Sequence, residues 1–276
     1  MGLEKPTGAP KLFLKLMQSI RRALIAEVRL RDRKFDSIFR AESVLEAVRP
    51  MTLWTKEEGT MRWLDSELRG GDVFMDIGAN VGIYTIAAAH RVGPSGKVFA
   101  FEPHKVNAIA LMRNVALNNF NDRISVFACA LSDRPTITPF NYNSISSGSS
   151  GSQLGHLRTA GKDRDFEPVA REMMLATSID ALIAQSAITP PALIKIDVDG
   201  NELPILVGMS ELLRGTNRPR AIQVEMNVGA QQPVVDFLAG CGYRETQSHH
   251  TTAGRKAAAS GRPIEAIAYN AIFRPT

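Results

Sequence analysis

The sequence predicts an α/β fold: an open, mostly parallel, doubly wound sheet, closed by a C-terminal antiparallel strand pair and preceded by an N-terminal helical extension. Three observations carry this. Val73–Ile77 is an apolar run of strand length that stops at Gly78 and passes, beyond Gly82, into the helix-length segment 83–90. Strand-like and helix-like stretches then alternate, which implies right-handed crossovers and parallel pairing. Near the end, 243–246 and 264–273 suit two strands that close the sheet in antiparallel fashion.

The N-terminal segment 11–48 reads as one or two helices. Phe13, Met17, Ile20, Leu24 and Val28 recur at spacings of four, three, four and four, a helical stripe. Arg21, Arg22, Arg29, Arg31, Arg33 and Lys34 fall mostly off it. Residues 1–50 are therefore expected to form a basic helical extension, a cover or homodimerisation arm or else a helix for a membrane surface or an acidic substrate, and 51–276 the main domain. A break is expected at Arg49-Pro50. A short helix over 58–68 ends at Gly70-Gly71. After the first strand and its helix come a turn at 93–96, a strand over 97–102, a helix over 105–118 and a third strand over 124–131. Residues 138–165 break the pattern. Positions 144–152 hold six serines and two glycines, too polar to pack as core and expected to be mobile, either as an ordinary insertion or as a lid that orders over substrate. A helix after Asp180, a strand over 192–198, a helix over 202–214, a strand over 220–226 and a helix over 234–239 complete the alternation.

Composition excludes several classes. The chain of 276 residues, 44% hydrophobic, is long enough for one sizeable α/β core. Two cysteines, Cys129 and Cys241, argue against a disulfide framework and for a reducing cytoplasm. No uninterrupted apolar run approaches the ~20 residues of a membrane span, and no signal-peptide pattern opens the chain. The net charge of +5 is concentrated early: Lys11 to Arg40 holds nine Lys/Arg against three Asp/Glu. No Cys/His spacing suggests zinc.

Ligands of open α/β sheets bind at the carboxyl ends of the strands, against a helix N-terminus. A dinucleotide fingerprint needs glycine at 78, 80 and 83, but Asn80 and Ile83 stand at the last two. Asp76 repels phosphate there and suits a ligand ammonium. Glu102, 26 residues beyond Asp76, ends the second strand, where a carboxylate can accept both hydroxyls of a ribose. A nucleoside bearing an amino acid and no phosphate fits all of these, and S-adenosylmethionine is such a molecule. Asp197, Asp199 and Glu202 crowd the end of the strand over 192–198. Asp197 can hold an ammonium or take a proton from a hydroxyl; Asp199 and Glu202 can hold substrate or cation, or cap the helix that follows. Glu225 ends the next strand at the same rim. His249 and His250 read as solvated loop residues.

Asp-Ile-Gly-Ala-Asn-Val-Gly at 76–82 resembles the first motif of class I methyltransferases, in the form found in the FkbM family. Phe-Glu-Pro at 101–103, Thr-Ser-Ile-Asp-Ala-Leu at 177–182 and Ile-Lys-Ile-Asp-Val-Asp-Gly-Asn-Glu at 194–202 follow in that family's order. The resemblance covers about residues 57 to 227. It implies a class I, Rossmann-like methyltransferase sheet and S-adenosylmethionine as cofactor, bound by Asp76, Gly78, Ala79, Asn80, Gly82, Thr85 and Glu102, with Ala130 and Leu131 along the adenine. Asp197, Glu225 and Asp199 are the expected catalytic residues. The acceptor implied is a hydroxylated sugar or other small natural product. A nicotinamide oxidoreductase on the same fold is the first alternative, opposed by Asn80 and Ile83. A nucleic-acid methyltransferase or binder is the second, opposed by the missing Asn/Asp-Pro-Pro-Tyr/Phe motif and by the lack of aromatics among the basic residues. A non-catalytic scaffold is opposed by the intact glycines and carboxylates.

Overall fold

The computed structural model describes residues 26–32, 34–157 and 165–276, with Phe13, Leu16 and Ser19 as isolated helical positions before them. The chain opens with an antiparallel hairpin, β1 (Ala26–Asp32) and β2 (Phe35–Ala41). Helices α1 (Val44–Met51), α2 (Leu53–Lys56) and α3 (Glu58–Glu67) follow. Then come β3 (Val73–Ile77), α4 (Ile83–Val92), β4 (Lys97–Phe101), α5 (Lys105–Leu117) and β5 (Ile124–Phe127). A side sheet takes β6 (Ala130–Leu131), β7 (Thr136–Tyr142), β8 (Gln153–Leu154) and β9 (Ala170–Thr177). The chain returns through α6 (Ile179–Ala184), β10 (Leu193–Ile196), α7 (Glu202–Val207), α8 (Ser210–Arg214) and β11 (Ala221–Met226). It ends with α9 (Gln231–Gly240), β12 (Tyr243–His249), α10 (Thr252–Ala259) and β13 (Tyr269–Pro275).

The main sheet runs β12-β13-β11-β10-β3-β4-β5. Its five strands from β11 to β5 are parallel; β13 pairs antiparallel with both β11 and β12. The order reverses between β3 and β10, and the ends of those strands open the crevice where such sheets bind ligands. Strands β3, β4 and β10 are apolar almost throughout because helices cover both faces. One core lies on the α4 side, around Phe74, Ile86 and Leu111, and the other on the α7 side, around Ile194, Leu206 and Val224.

Four expectations are corrected. First, Ala26–Asp32 and Phe35–Ala41 are strands and not helices. Phe35, Ser37, Phe39 and Ala41 alternate inward, and Asn118 and Asn114 each accept a β2 amide, from Ile38 and Arg40, at 2.9 Å. Period-two burial against α4 and α5 therefore decides this stretch, not the stripe that Val28 appeared to continue. Met17, Ile20 and Leu24 of that stripe lie outside the described residues, and the homodimer arm expected from it falls largely there too. Second, the alternation that breaks after Thr138 gives way to a side sheet: β7 pairs with β9 over seven residues, Thr136 to Tyr142 against Ala176 to Ala170. Third, the expected helix over 202–214 is two helices. Gly208 packs so closely that a Cβ there would lie 2.1 Å from the Ser132 carbonyl oxygen, and the helical path breaks at that contact. The expected third strand also divides, its last two residues crossing into the side sheet as β6.

Candidate active site

A cavity of about 330 Å³ opens at the carboxyl ends of β3, β4, β10 and β11, a size within the ~300–1,000 Å³ of ligand pockets. Gly78, Ala79, Asn80 and Tyr84 line one wall, Glu102 another, and Lys195, Asp197, Asp199 and Glu225 a third. Arg49, Thr52, Lys56 and Glu57 of α1, α2 and the turn after them complete it, so the segment before the first motif contributes to the site as well. Gly78 allows the strands to converge. It has φ +79°, and a Cβ there would sit 1.9 Å from the Asp197 carbonyl oxygen, which no side chain can do.

Glu102 is buried and holds the motif loop. Its Oε2 accepts from the Asn80 amide at 2.7 Å and its Oε1 from the His104 amide at 2.9 Å. Each oxygen keeps lone-pair capacity toward the cavity it lines. Burial pushes its pKa up to about 7, against the lowering effect of those two amides and of Arg49. Asn80 adopts φ +51°, and its Nδ2 donates to the Ser149 carbonyl at 2.8 Å. That bond belongs to a strap over the cavity. Asn107 accepts from the Gly148 amide at 2.8 Å and donates to Ser149, Arg49 Nε donates to the Gly148 carbonyl at 2.8 Å, and Asp199 Oδ2 accepts from the Gly151 amide at 2.8 Å. The serine-rich segment has little apolar surface, as its composition implies, but these polar anchors fix its path.

Lys195 is the residue whose role the sequence reasoning missed. It pairs in register with Asp76 across β10 and β3, so both side chains stand on one face of the sheet. Its fully buried Nζ lies 2.9 Å from Asp197 Oδ2 and 3.7 Å from Asp76 Oδ1, and 4.9 Å from the centre of the Tyr84 ring. Burial alone would lower its pKa, but Asp197, Asp76 and Glu57 outweigh burial and raise it. Burial also acts to raise Asp197, yet Lys195 beside it brings the net pKa below the usual carboxylate range. Glu225 moves the other way: burial and the charges of Asp197, Asp199 and Glu202 raise it well above an ordinary glutamate. Asp197 and Glu225 line the same wall of the cavity, and these opposite shifts favour the charge on Asp197 and a proton on Glu225. A signal was present in the sequence: a lysine inside an apolar central strand needs buried counter-charges.

The remaining expected residues are distributed as follows. Asp76 is completely buried and lies behind Lys195 instead of on the cavity wall; Thr85 Oγ1 donates to its Oδ2 at 2.6 Å. Burial raises the Asp76 pKa despite Lys195 and Thr85. Ala130 and Leu131 line a second, apolar slot of about 40 Å³ with Phe101, Cys129 and Ile205, and this slot shares Gly78, Pro103 and Val198 with the main cavity or its wall. Gly82 starts α4 beneath the loop. Glu202 accepts from the Gly200 amide at 3.0 Å and from Asn227 Nδ2 at 2.9 Å, bracing the turn after β10. His249 ends β12 half-buried, 3.3 Å from Thr60 Oγ1, instead of lying solvated in a loop; it does not line the cavity, and burial lowers its pKa to about 4. Among the described residues, no group of three or more His, Cys, Asp or Glu is arranged to hold a metal ion, and no helix is long and apolar enough to cross a membrane.

Residues 76–245, more than half of the chain, match the Methyltransferase FkbM domain family. The chain belongs to that family. It is an S-adenosylmethionine-dependent methyltransferase, and its sheet is of the class I methyltransferase type. It is 32% identical over 200 residues to the 31-O-demethyl-FK506 methyltransferase FkbM of Streptomyces tacrolimicus, covering 64% of this chain and 74% of that protein. It is 29% identical over 223 residues to the hexuronic acid methyltransferase AglP of Haloferax volcanii, covering 80% and 81%. A solved structure of methyltransferase FkbM from Methylobacillus flagellatus aligns at 14% identity and TM-score 0.47, over 77% of this chain and 50% of that one. The cavity fits the cofactor. Glu102 has an acceptor on each oxygen for a ribose diol, and the adjoining apolar slot suits the edge of a flat ring.

Proposed function

We propose that this FkbM-family enzyme methylates a hydroxyl oxygen on a sugar or another small natural product. The Asp197–Glu225 pair supports this reading most directly. S-adenosylmethionine supplies a methyl already activated on sulfur, which leaves the protein two tasks, alignment and removal of the acceptor's proton. A hydroxyl acceptor needs that second task; a carboxylate acceptor does not. Burial and neighbouring carboxylates favour a proton on Glu225, and Lys195 favours the charged form of Asp197, which makes Asp197 the carboxylate suited to take an acceptor hydroxyl's proton, with Glu225 on the same wall. Asp199 and Glu57 add acceptors for further hydroxyls, as a polyhydroxylated molecule requires. The two relatives act, by name, on 31-O-demethyl-FK506 and on a hexuronic acid.

In this reading Glu102 accepts the ribose hydroxyls, Gly78, Ala79 and Asn80 give the close backbone wall, and the slot at Ala130 and Leu131 takes the adenine. Asp76, Thr85 and Gly82 act from beneath: Asp76 faces Lys195, Thr85 holds Asp76, and Gly82 starts the helix under the loop. Free Cys129 and Cys241 support a reducing, cytoplasmic setting. The test is transfer from S-adenosylmethionine labelled in its methyl group to hexoses, hexuronic acids and polyols, followed by mild alkali. Label that resists alkali is an ether and supports the reading. Label released by alkali, or found only on amines or nucleic acid, refutes it.

A further inference from the structure

Helix α1 carries its apolar face outward. Val44 and Met51 are 79% and 68% exposed, and Leu45 and Val48 about half-exposed, whereas Glu46 and Pro50 are buried. Surface helices ordinarily bury such a stripe, and large side chains gathered on one exposed face mark a contact surface. The face is continuous with the cavity. Leu45, Arg49 and Thr52 follow at i, i+4 and i+7, one row along the helix, and Arg49 and Thr52 line the cavity. Leu45 also meets the strap: a Cβ built on Gly148 would lie 3.2 Å from the Leu45 Cβ. Ile145, in the same strap, is 61% exposed. The apolar strip therefore starts at the rim of the cavity and runs outward from it.

We propose that the acceptor is an amphiphile, with its hydroxylated head in the cavity and its apolar portion along Val44, Leu45, Val48 and Met51. This rests on the hydroxyl-acceptor reading above. A second copy of the chain fits this face less well. Stable dimers bury about 800 Å² and ~20–30 residues on each side, and an eight-residue helix is only ~12 Å long. An anionic bilayer also fits less well, because the cations beside the face are partly offset by carboxylates. Arg40 and Arg113 pair with Glu42 at 3.0 and 2.9 Å, and Lys56 with Glu57 at 3.4 Å.

The test uses n-alkyl β-glucosides from methyl to octyl, below their micelle concentrations, titrated calorimetrically into the full chain saturated with S-adenosylhomocysteine. Wild-type affinity is expected to rise about two- to fourfold for each methylene that reaches the face, the upper figure being full burial. The combined variant Val44→Ser, Val48→Ser, Met51→Ser should lose most of that increment while binding S-adenosylhomocysteine as tightly as wild type, which shows that it is folded. No gain with chain length in the wild type, or an undiminished gain in the variant, overturns the proposal. So does a wild-type dimer that the variant dissociates, or equal binding of both proteins to octyl glucoside with loss of vesicle binding only in the variant. A chain-length gain without alkali-stable methyl transfer to any hydroxyl would refute the O-methylation reading alone, so the two fail separately.

Discussion

Replacing Glu102 by Gln tests the nucleoside-binding wall at one atom. The carboxylate is buried, takes one backbone amide on each oxygen, and has its pKa pushed up to about 7. Hydrogen bonds to a charged acceptor contribute about 1.5–3 kcal/mol, so loss of the charge should weaken S-adenosylhomocysteine binding ten- to about a hundredfold. Gln is a better probe than Ala, because it keeps the shape and one acceptor oxygen and so unpairs only one of the Asn80 and His104 amides, where Ala would unpair both. The raised pKa adds a second signature. Ribose hydroxyls donate to the ionised carboxylate, so binding displaces its proton: affinity should be level above pH 7 and fall toward a limit of tenfold per pH unit below it. Calorimetry between pH 5.5 and 8.5 reads both effects. If Glu102→Gln binds as wild type does, or if the wild-type pH dependence survives in it, Glu102 does not hold the ribose.

Asp197→Asn should lower kcat by roughly 10²–10⁴-fold, the usual contribution of a proton-transfer group, with cofactor affinity nearly unchanged; a parallel loss of affinity would assign Asp197 to the cofactor ammonium. Lys195→Met leaves Asp76 and Asp197 buried without their shared counter-charge and should cost about 3–5 kcal/mol in denaturant unfolding. Since folding raises the lysine pKa, its contribution is complete below the ordinary lysine value of about 10.4 and is lost only above it, so the deficit should persist across neutral pH. In amide exchange, Gly148 and Gly151 should be protected within the serine-rich strap, and Asn107→Ala should speed Gly148 while leaving Gly151, which is held by Asp199, slow.

What the sequence revealed, and what it hid, follow from the range of the interactions. The segment from Val73 to His90 was legible because strand, turn and helix are all specified by neighbours along the chain. Glu102 was legible for the same reason, its place fixed by one strand–helix–strand unit. Asp76 was placed at the right strand end but on the wrong side of the wall, because what it faces depends on Lys195, a partner from a distant strand. The pairing of β7 with β9 was hidden by the serine-rich strap and the segment after it. The β1–β2 hairpin was misread because Val28 continues a helical spacing by coincidence, while its burial is decided by α4 and α5. Arg49, Lys56 and Glu57 entered the cavity through the same kind of long-range packing, which no local pattern announces.

The central claim is that the crevice between β3 and β10 holds the cofactor with its reactive end toward Asp197. A crystal structure with S-adenosylhomocysteine tests it most directly. The account predicts the ribose hydroxyls within hydrogen-bonding distance of Glu102, the adenine in the slot beside Ala130 and Leu131, and the sulfur facing open space bounded by Asp197 and Glu225. A nucleoside bound away from Glu102, or a sulfur turned from Asp197 with a different side chain in front of it, would contradict it.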